Sequence, residues 1–410
     1  MKRNVIVGQS GGPTAVINSS LAGVYKTAKD RGFHKVYGML HGVQGLLDEQ
    51  YIDLSRYIKN DLDIELLKRT PSAFLGSCRF KMPDIHENKE IYEKVFEILN
   101  KLEIDSFFYI GGNDSMDTIK KLSDYAVLTG QSQKFIGVPK TIDNDLAITD
   151  HTPGFGSAAK YIGTSVKEII RDGIGLSYKK DLVTIVEIMG RNAGWLTGAA
   201  VLSTSEDCDG PDLIYLPELP FDVSKFMDKV KALLKKKQSL VIVISEGIKL
   251  ADGRYVCELS AASDYVDAFG HKQLSGTAVY LANVVAAELG CKTRGIEFST
   301  LQRSASHIAS RVDIDEAFMV GGAAVKAADE GDSGKMVIME RLSDDPYQCG
   351  TSIYDVHKIA NDEKIVPRNW ITKDGAYVTN EFISYVKPLI QGDYPPVMVD
   401  GIPRHLVHSK

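Results

Sequence analysis

Three times within the first 145 residues a short apolar run gives way to a polar loop, and the first two of those loops carry paired glycines before a helix-like segment. Asn4-Val-Ile-Val-Gly8 leads into Ser10-Gly11-Gly12-Pro13-Thr14, and Asp105-Ser-Phe-Phe-Tyr-Ile110 into Gly111-Gly112-Asn113-Asp114-Ser115. Phe135-Ile-Gly-Val138 leads into Pro139-Lys140-Thr141-Ile142-Asp143-Asn144-Asp145. Short apolar runs read as buried strands, so the pattern predicts an α/β fold with its polar loops at the strands' carboxyl ends. In open α/β sheets that edge is where ligands bind.

Each loop carries its own chemistry. A glycine turn opening a helix, predicted from about Ala15 to Lys29, leaves backbone N–H groups free and adds a favourable dipole, so Gly11 and Gly12 suit an anion. The turn matches neither the dinucleotide fingerprint nor the Gly-Lys-Ser/Thr phosphate loop. Asn113 and Asp114 suit either helix capping or a hydrated Mg²⁺ beside phosphate oxygens. In the third loop Asp143 is a candidate to take a proton from an alcohol, with Lys140 to neutralise charge on a transferred group. The same residues also suit an acidic Asx turn. Arg79, after a Gly-Ser turn, suits either a phosphate or plain solvent.

Composition bounds the partners. With 44% hydrophobic residues in 410, the chain can bury a large core and is expected to form two or three domains. Its 48 basic and 54 acidic residues give a net charge of −6, which favours neither nucleic acid nor an anionic membrane, so any anion site must be local. Five scattered cysteines without CxxC spacing support neither a disulfide framework nor a zinc knot, and a reducing cytoplasm is expected. No run approaches the roughly 20 apolar residues of a membrane span.

A break at Thr152-Pro-Gly-Phe-Gly-Ser157 precedes a helix predicted from Ala158 to about Asp172 and, with it, a second domain. Strands are predicted at 181–189, 240–245 and 293–300, and helices at 221–237, 276–289 and 318–328. The three strands end near Arg191, Glu246 and Arg303. Two guanidinium groups able to grip a phosphate, and a carboxylate able to accept from sugar hydroxyls, should therefore converge on one edge.

Gly11-Gly12, Gly111-Gly-Asn-Asp-Ser115, Pro139-Lys-Thr-Ile-Asp-Asn-Asp145, Met189-Gly-Arg191, Glu246-Gly247 and Gln302-Arg303, in that order and at that spacing, resemble the phosphofructokinase family over about residues 3–340. The resemblance implies two doubly wound, Rossmann-like α/β domains with the active site in the cleft between them. The donor-binding domain would take residues 1–153 with about 302–349, the sugar-phosphate domain 154–301, and 350–410 would be an extension without an assigned role. Asp143 would act as base on the 1-hydroxyl of fructose 6-phosphate, with Lys140, Thr141 and Asp145 completing the catalytic group. Gly11, Gly12, Arg79, Gly111, Gly112, Asp114 and Ser115 would bind the donor. The sugar phosphate would be held by Thr141, Ile142, Met189, Gly190, Arg191, Glu246, Arg294, Leu301, Gln302 and Arg303. Arg294 would cross from a neighbouring subunit, implying a homodimer or homotetramer.

ATP-dependent members carry glycine where this chain has Asp114 and, usually, at Lys140, whereas pyrophosphate-dependent members carry Asp and Lys. A carboxylate at 114 repels a nucleotide's α-phosphate, and Lys140 adds positive charge at the departing phosphate. Pyrophosphate is the expected donor and the reaction is expected to run both ways. The alternatives are an ATP-dependent 6-phosphofructokinase, a non-catalytic sugar-phosphate-binding subunit, and a heptulose 7-phosphate as acceptor. Mg²⁺ is expected at Asn113 and Asp114, although the family's usual Asp stands as Asn113 here. Leu182 occupies the position of an arginine that reaches a phosphate across subunits in bacterial ATP enzymes.

Overall fold

The computed structural model describes residues 3–259, 274–359 and 363–408. In chain order its first part runs β1 (Asn4–Gln9), α1 (Ile17–Asp30), β2 (Val36–Met39), α2 (Gly42–Leu47), β3 (Tyr51–Asp53), α3 (Asp61–Lys68), α4 (Lys89–Lys101), β4 (Ile104–Gly111), α5 (Asn113–Thr129) and β5 (Lys134–Pro139). The middle part comprises α6 (Phe155–Leu176), β6 (Leu182–Ile188), α7 (Trp195–Gly198), β7 (Leu213–Tyr215), α8 (Val223–Leu234), β8 (Ser239–Ser245), α9 (Thr277–Leu289) and β9 (Lys292–Glu297). The last part holds α10 (Leu301–Ser304), α11 (Arg311–Asp329), β10 (Lys335–Asp344), β11 (Tyr347–Asp355), α12 (Asn380–Val386), β12 (Met398–Val399) and β13 (Ile402–Pro403).

Two sheets organise these elements. The larger has the order β11-β10-β5-β4-β1-β2-β3, parallel from β10 to β2 with an antiparallel strand at each edge. The smaller, β7-β8-β6-β9, is parallel throughout. Every residue of β1 is buried, as an apolar run covered on both faces requires. Val5 and Val7 pack with Leu21 of α1 and Val320 of α11, while Ile6 points the other way toward Tyr92 and Ile119. The smaller sheet repeats the alternation: Val186 and Ile188 face Ile162 and Phe382, and Val183 and Ile185 face Phe226 and Leu281. Both sheets thus have helices on both faces, the doubly wound α/β arrangement the resemblance implied.

Several boundaries differ from the sequence reading. Helix α6 starts at Phe155, because Gly154 adopts φ +109° as its N-cap and the Gly-Phe-Gly run enters the helix instead of breaking the chain. The small-residue segment at 318–328 is only the second half of α11. Its glycines serve close packing: a Cβ on Gly321 would lie 2.1 Å from the Ser20 carbonyl oxygen, and one on Gly23 2.1 Å from that of Phe318. The residues beyond 349 are divided between the sheets. Tyr347–Asp355 forms the edge strand β11, and Phe382 and Val386 of α12 are fully buried in the smaller sheet's core, where Phe382 stacks on Trp195 at 6.0 Å. The segment 154–301 includes residues 260–273, which lie outside the described residues. Among the described residues no helix is long and apolar enough to cross a membrane.

Candidate active site

The carboxyl ends of β1, β4 and β5 and those of β6, β8 and β9 border one cleft of about 700 Å³. On the larger sheet's side, Gly11 takes φ +72°, a left-handed turn that an L side chain would strain. The turn is pinned by the Gly11 N–H donating to the Cys78 carbonyl (3.1 Å) and by Ser77 Oγ donating to the Gly11 carbonyl (2.5 Å). Gly12 follows, and a Cβ there would come within 3.1 Å of Arg303 Nη1. Glycine therefore lets the turn and Arg303 approach. Beside it, α5 begins at Gly112 as N-cap, with Asn113, Asp114 and Ser115 in its first turn and in the cleft wall. Because Gly112 to Ser115 line the cleft, the positive dipole end of that helix borders it. Gly111 does not line it: a Cβ there would meet Ser115 Oγ at 1.9 Å, so this glycine seats the helix on its strand.

The loop after β5 forms the cleft's floor. Lys140 is almost fully buried; its N–H donates to the Gly111 carbonyl (3.1 Å) and its Nζ to the Gly12 carbonyl (2.7 Å). Thr141 Oγ1 accepts the Asp143 N–H (3.0 Å), and Asn144 turns the chain at φ +54°. Asp143 and Asp145 thereby both reach the cleft, with buried Ile142 anchoring the loop in the smaller sheet's core.

Charges crowd this floor. Burial, reinforced by the neighbouring Asp145 carboxylate, pushes Asp143 up to about 7 against the pull of Lys140, Arg303 and Arg191. Burial also raises Asp145. Burial pulls the Lys140 ammonium down to about 8, with Arg303 and Arg79 adding to the effect and the two aspartates opposing it. Glu246 is raised to about 8 by burial and by Asp143 and Glu187. Lys140 and Asp143 share the floor, and Asp143 reaches across to raise Glu246 on the facing wall.

The smaller sheet contributes Met189, Arg191 and Glu246 to the lining. Gly190, at φ +142°, does not line the cleft; its carbonyl accepts a hydrogen bond from Ser245 Oγ. A Cβ on Gly247 would sit 1.9 Å from the Arg191 carbonyl oxygen, so the loops after β6 and β8 pack backbone on backbone. Gln302 is buried and turned inward, with Oε1 accepting the Met189 N–H at 3.3 Å. It orients the Met189 loop and is not part of the lining. Leu301 points to solvent, and Arg294, on the outer strand β9, pairs with Asp172 at 3.0 Å, away from the cleft.

Other lining residues were missing from the sequence reading. Glu187 lies within β6, where its carboxylate accepts the Ala278 N–H (2.8 Å) near the start of α9, and burial pushes it up to about 7. A carboxylate in a strand that is apolar apart from Thr184 was its signal. Glu363 enters from the last part of the chain and accepts from Asn192 Nδ2 through both oxygens at 3.1 Å. Nothing local to residue 363 marks it.

The phosphofructokinase family profile matches residues 4–297. The pyrophosphate–fructose 6-phosphate 1-phosphotransferase of Halomonas elongata is 40% identical over 405 residues, covering 98% of this chain and 95% of its own. That of Xanthomonas campestris pv. campestris is 42% identical over 404 residues, with the same coverages of 98% and 95%. Among solved structures, the pyrophosphate-dependent phosphofructokinase of Nitrosospira multiformis superposes with a TM-score of 0.88 at 38% identity, over 99% of this chain and 96% of that one.

Proposed function

The chain belongs to the phosphofructokinase family, and from that premise we propose how its cleft carries out phosphoryl transfer. The reaction is transfer from pyrophosphate to the 1-hydroxyl of fructose 6-phosphate, giving fructose 1,6-bisphosphate and phosphate. One observation supports the assignment of roles most strongly: Lys140 and Asp143 share one buried loop that touches the glycine turn on one side and faces Arg303 on the other.

The sugar phosphate is gripped from the smaller sheet's side by Arg191 and Arg303, with Glu246 accepting from sugar hydroxyls. Pyrophosphate lies against the Gly11–Gly12 turn and the start of α5, where N–H groups and the helix dipole favour anions. The 1-hydroxyl oxygen attacks the near phosphorus in line, its proton passes to Asp143, and the bond to the leaving phosphate breaks. Lys140 neutralises charge on the transferred and departing groups. In reverse, protonated Asp143 returns the proton to the sugar oxygen. A base raised to about 7 suits both directions, because neither its gain nor its loss of a proton is steeply uphill near neutral pH.

Mg²⁺ belongs to the proposal. Asn113 Oδ1 is buried without a hydrogen-bond partner and Asp114 stands beside it at the cleft, oxygen donors of the kind a hard cation takes. When bound, the ion neutralises the phosphate oxygens' charge. A carboxylate at Asp114, in the cleft wall, disfavours a nucleotide's α-phosphate, and the ATP-dependent alternative has less support.

The experiment is an initial-rate matrix of pyrophosphate and ATP against fructose 6-phosphate and sedoheptulose 7-phosphate, each with Mg²⁺. Turnover with pyrophosphate and fructose 6-phosphate is expected. Turnover with ATP alone would overturn the donor, and a clear preference for the heptulose the acceptor.

A further inference from the structure

We propose that Lys364, with Tyr385, is a positioning residue for the catalytic loop: the two side chains grip Asn144 from behind and so hold Asp143 and Asp145 in the cleft. The inference rests on the phosphoryl-transfer reading of that cleft.

Asn144 stands between the two aspartates and is fully buried. Its left-handed φ of +54° is uncommon for a side-chain-bearing residue, although asparagine tolerates it best. Both ends of its amide are held. Oδ1 accepts from Lys364 Nζ at 3.2 Å, and Nδ2 donates to Tyr385 Oη at 2.9 Å. The same two groups hold the far end of the loop: Lys364 Nζ donates to the carbonyls of Thr149 (3.2 Å) and Asp150 (2.6 Å), and Tyr385 Oη donates to that of Asp150 (2.5 Å). All three ammonium donors are therefore used, each on the loop that carries Asp143 and Asp145.

The backbone of the same segment joins the two halves of the cleft. The Lys364 N–H donates to the Asp145 carbonyl at 2.8 Å, while the Lys364 carbonyl accepts from Trp195 Nε1 at 2.9 Å. The Val366 N–H and the Gly194 N–H share Glu218 Oε1, at 2.9 and 2.8 Å. Glu363, on the cleft side, holds Asn192. The segment is thus a strap from the catalytic loop to the loop after β6. Burying an ammonium is costly unless its protons are all bonded, so a lysine here is explained by the geometry it imposes.

The test compares wild type with Lys364→Met and Tyr385→Phe, measuring kcat and both KM values in the forward direction together with the thermal midpoint. Misplacing a reacting group by about 1 Å can cost on the order of 100-fold in rate. Lys364→Met is expected to lower kcat at least about tenfold with KM values within about twofold, because the substrate-gripping arginines are untouched. Tyr385→Phe removes one hydroxyl and should lower kcat in the same sense by a smaller factor. It decides the matter if Lys364→Met does not fold. A variant with a lowered midpoint but wild-type kcat, or with raised KM and unchanged kcat, would overturn the proposal. A wild-type protein without turnover on pyrophosphate and fructose 6-phosphate would overturn the underlying reaction instead, and the inference with it.

Discussion

Asp143 and Lys140, three positions apart on the cleft floor, each carry a distinct expectation. Asp143→Asn keeps the shape of the side chain and removes the base, so turnover should fall by about 10²–10⁴ while fructose 6-phosphate binding, measured calorimetrically, persists. Lys140→Met should lower kcat by on the order of 10²–10³ with little change in sugar binding, because its charge acts where the departing phosphate gains negative charge. An unchanged kcat in either variant would contradict the assigned role. The pH profile follows from the same pair. Below about 7 Asp143 holds its proton and cannot accept another, and above about 8 Lys140 loses its charge. Forward kcat/KM, corrected for the ionisation of pyrophosphate, should therefore be bell-shaped with limbs near those values. A flat profile from pH 6 to 9 would show that neither group titrates in the step.

Elements explain how far the site could be read in advance. The turn after β1 and the loops after β4 and β5 were legible because glycine, proline and apolar runs are local signals with local causes. Gln302 was misleading: it stands in the recognisable Gln-Arg pair, yet its side chain turns inward to hold Met189. Glu363 and Lys364 were illegible because their meaning lies entirely in contacts with Asn192, Asn144 and Asp150, which no window of sequence around them contains. The same holds for α12, whose apolar residues find partners in α7. Phe382→Ala empties a filled position between Trp195 and Gly198 and should cost about 3–5 kcal/mol in urea unfolding. A cost below about 1 kcal/mol would mean that α12 is peripheral to this core, in contrast with the full burial of its phenylalanine.

At the scale of the whole molecule, the cleft draws on residues from near the start of the chain to Glu363, so its chemistry requires both sheets at once. Arg294 lies outside that cleft, paired with Asp172 on the outer strand. We propose that it completes the sugar-phosphate site of a neighbouring subunit. Mixing inactive Asp143→Asn with impaired Arg294→Ala under subunit-exchange conditions should then restore part of the wild-type rate, because one site in each hybrid has both residues intact. No recovery in demonstrably mixed oligomers would argue that Arg294 acts within its own chain. The central claim, reversible transfer between pyrophosphate and fructose 6-phosphate, is tested most directly by following phosphorus resonances in a single sealed sample with Mg²⁺. The account predicts that pyrophosphate and fructose 6-phosphate disappear together as fructose 1,6-bisphosphate and phosphate appear in equal amounts, and that the same mixture is reached from the products. A sample in which pyrophosphate stays intact while added ATP is consumed would contradict it.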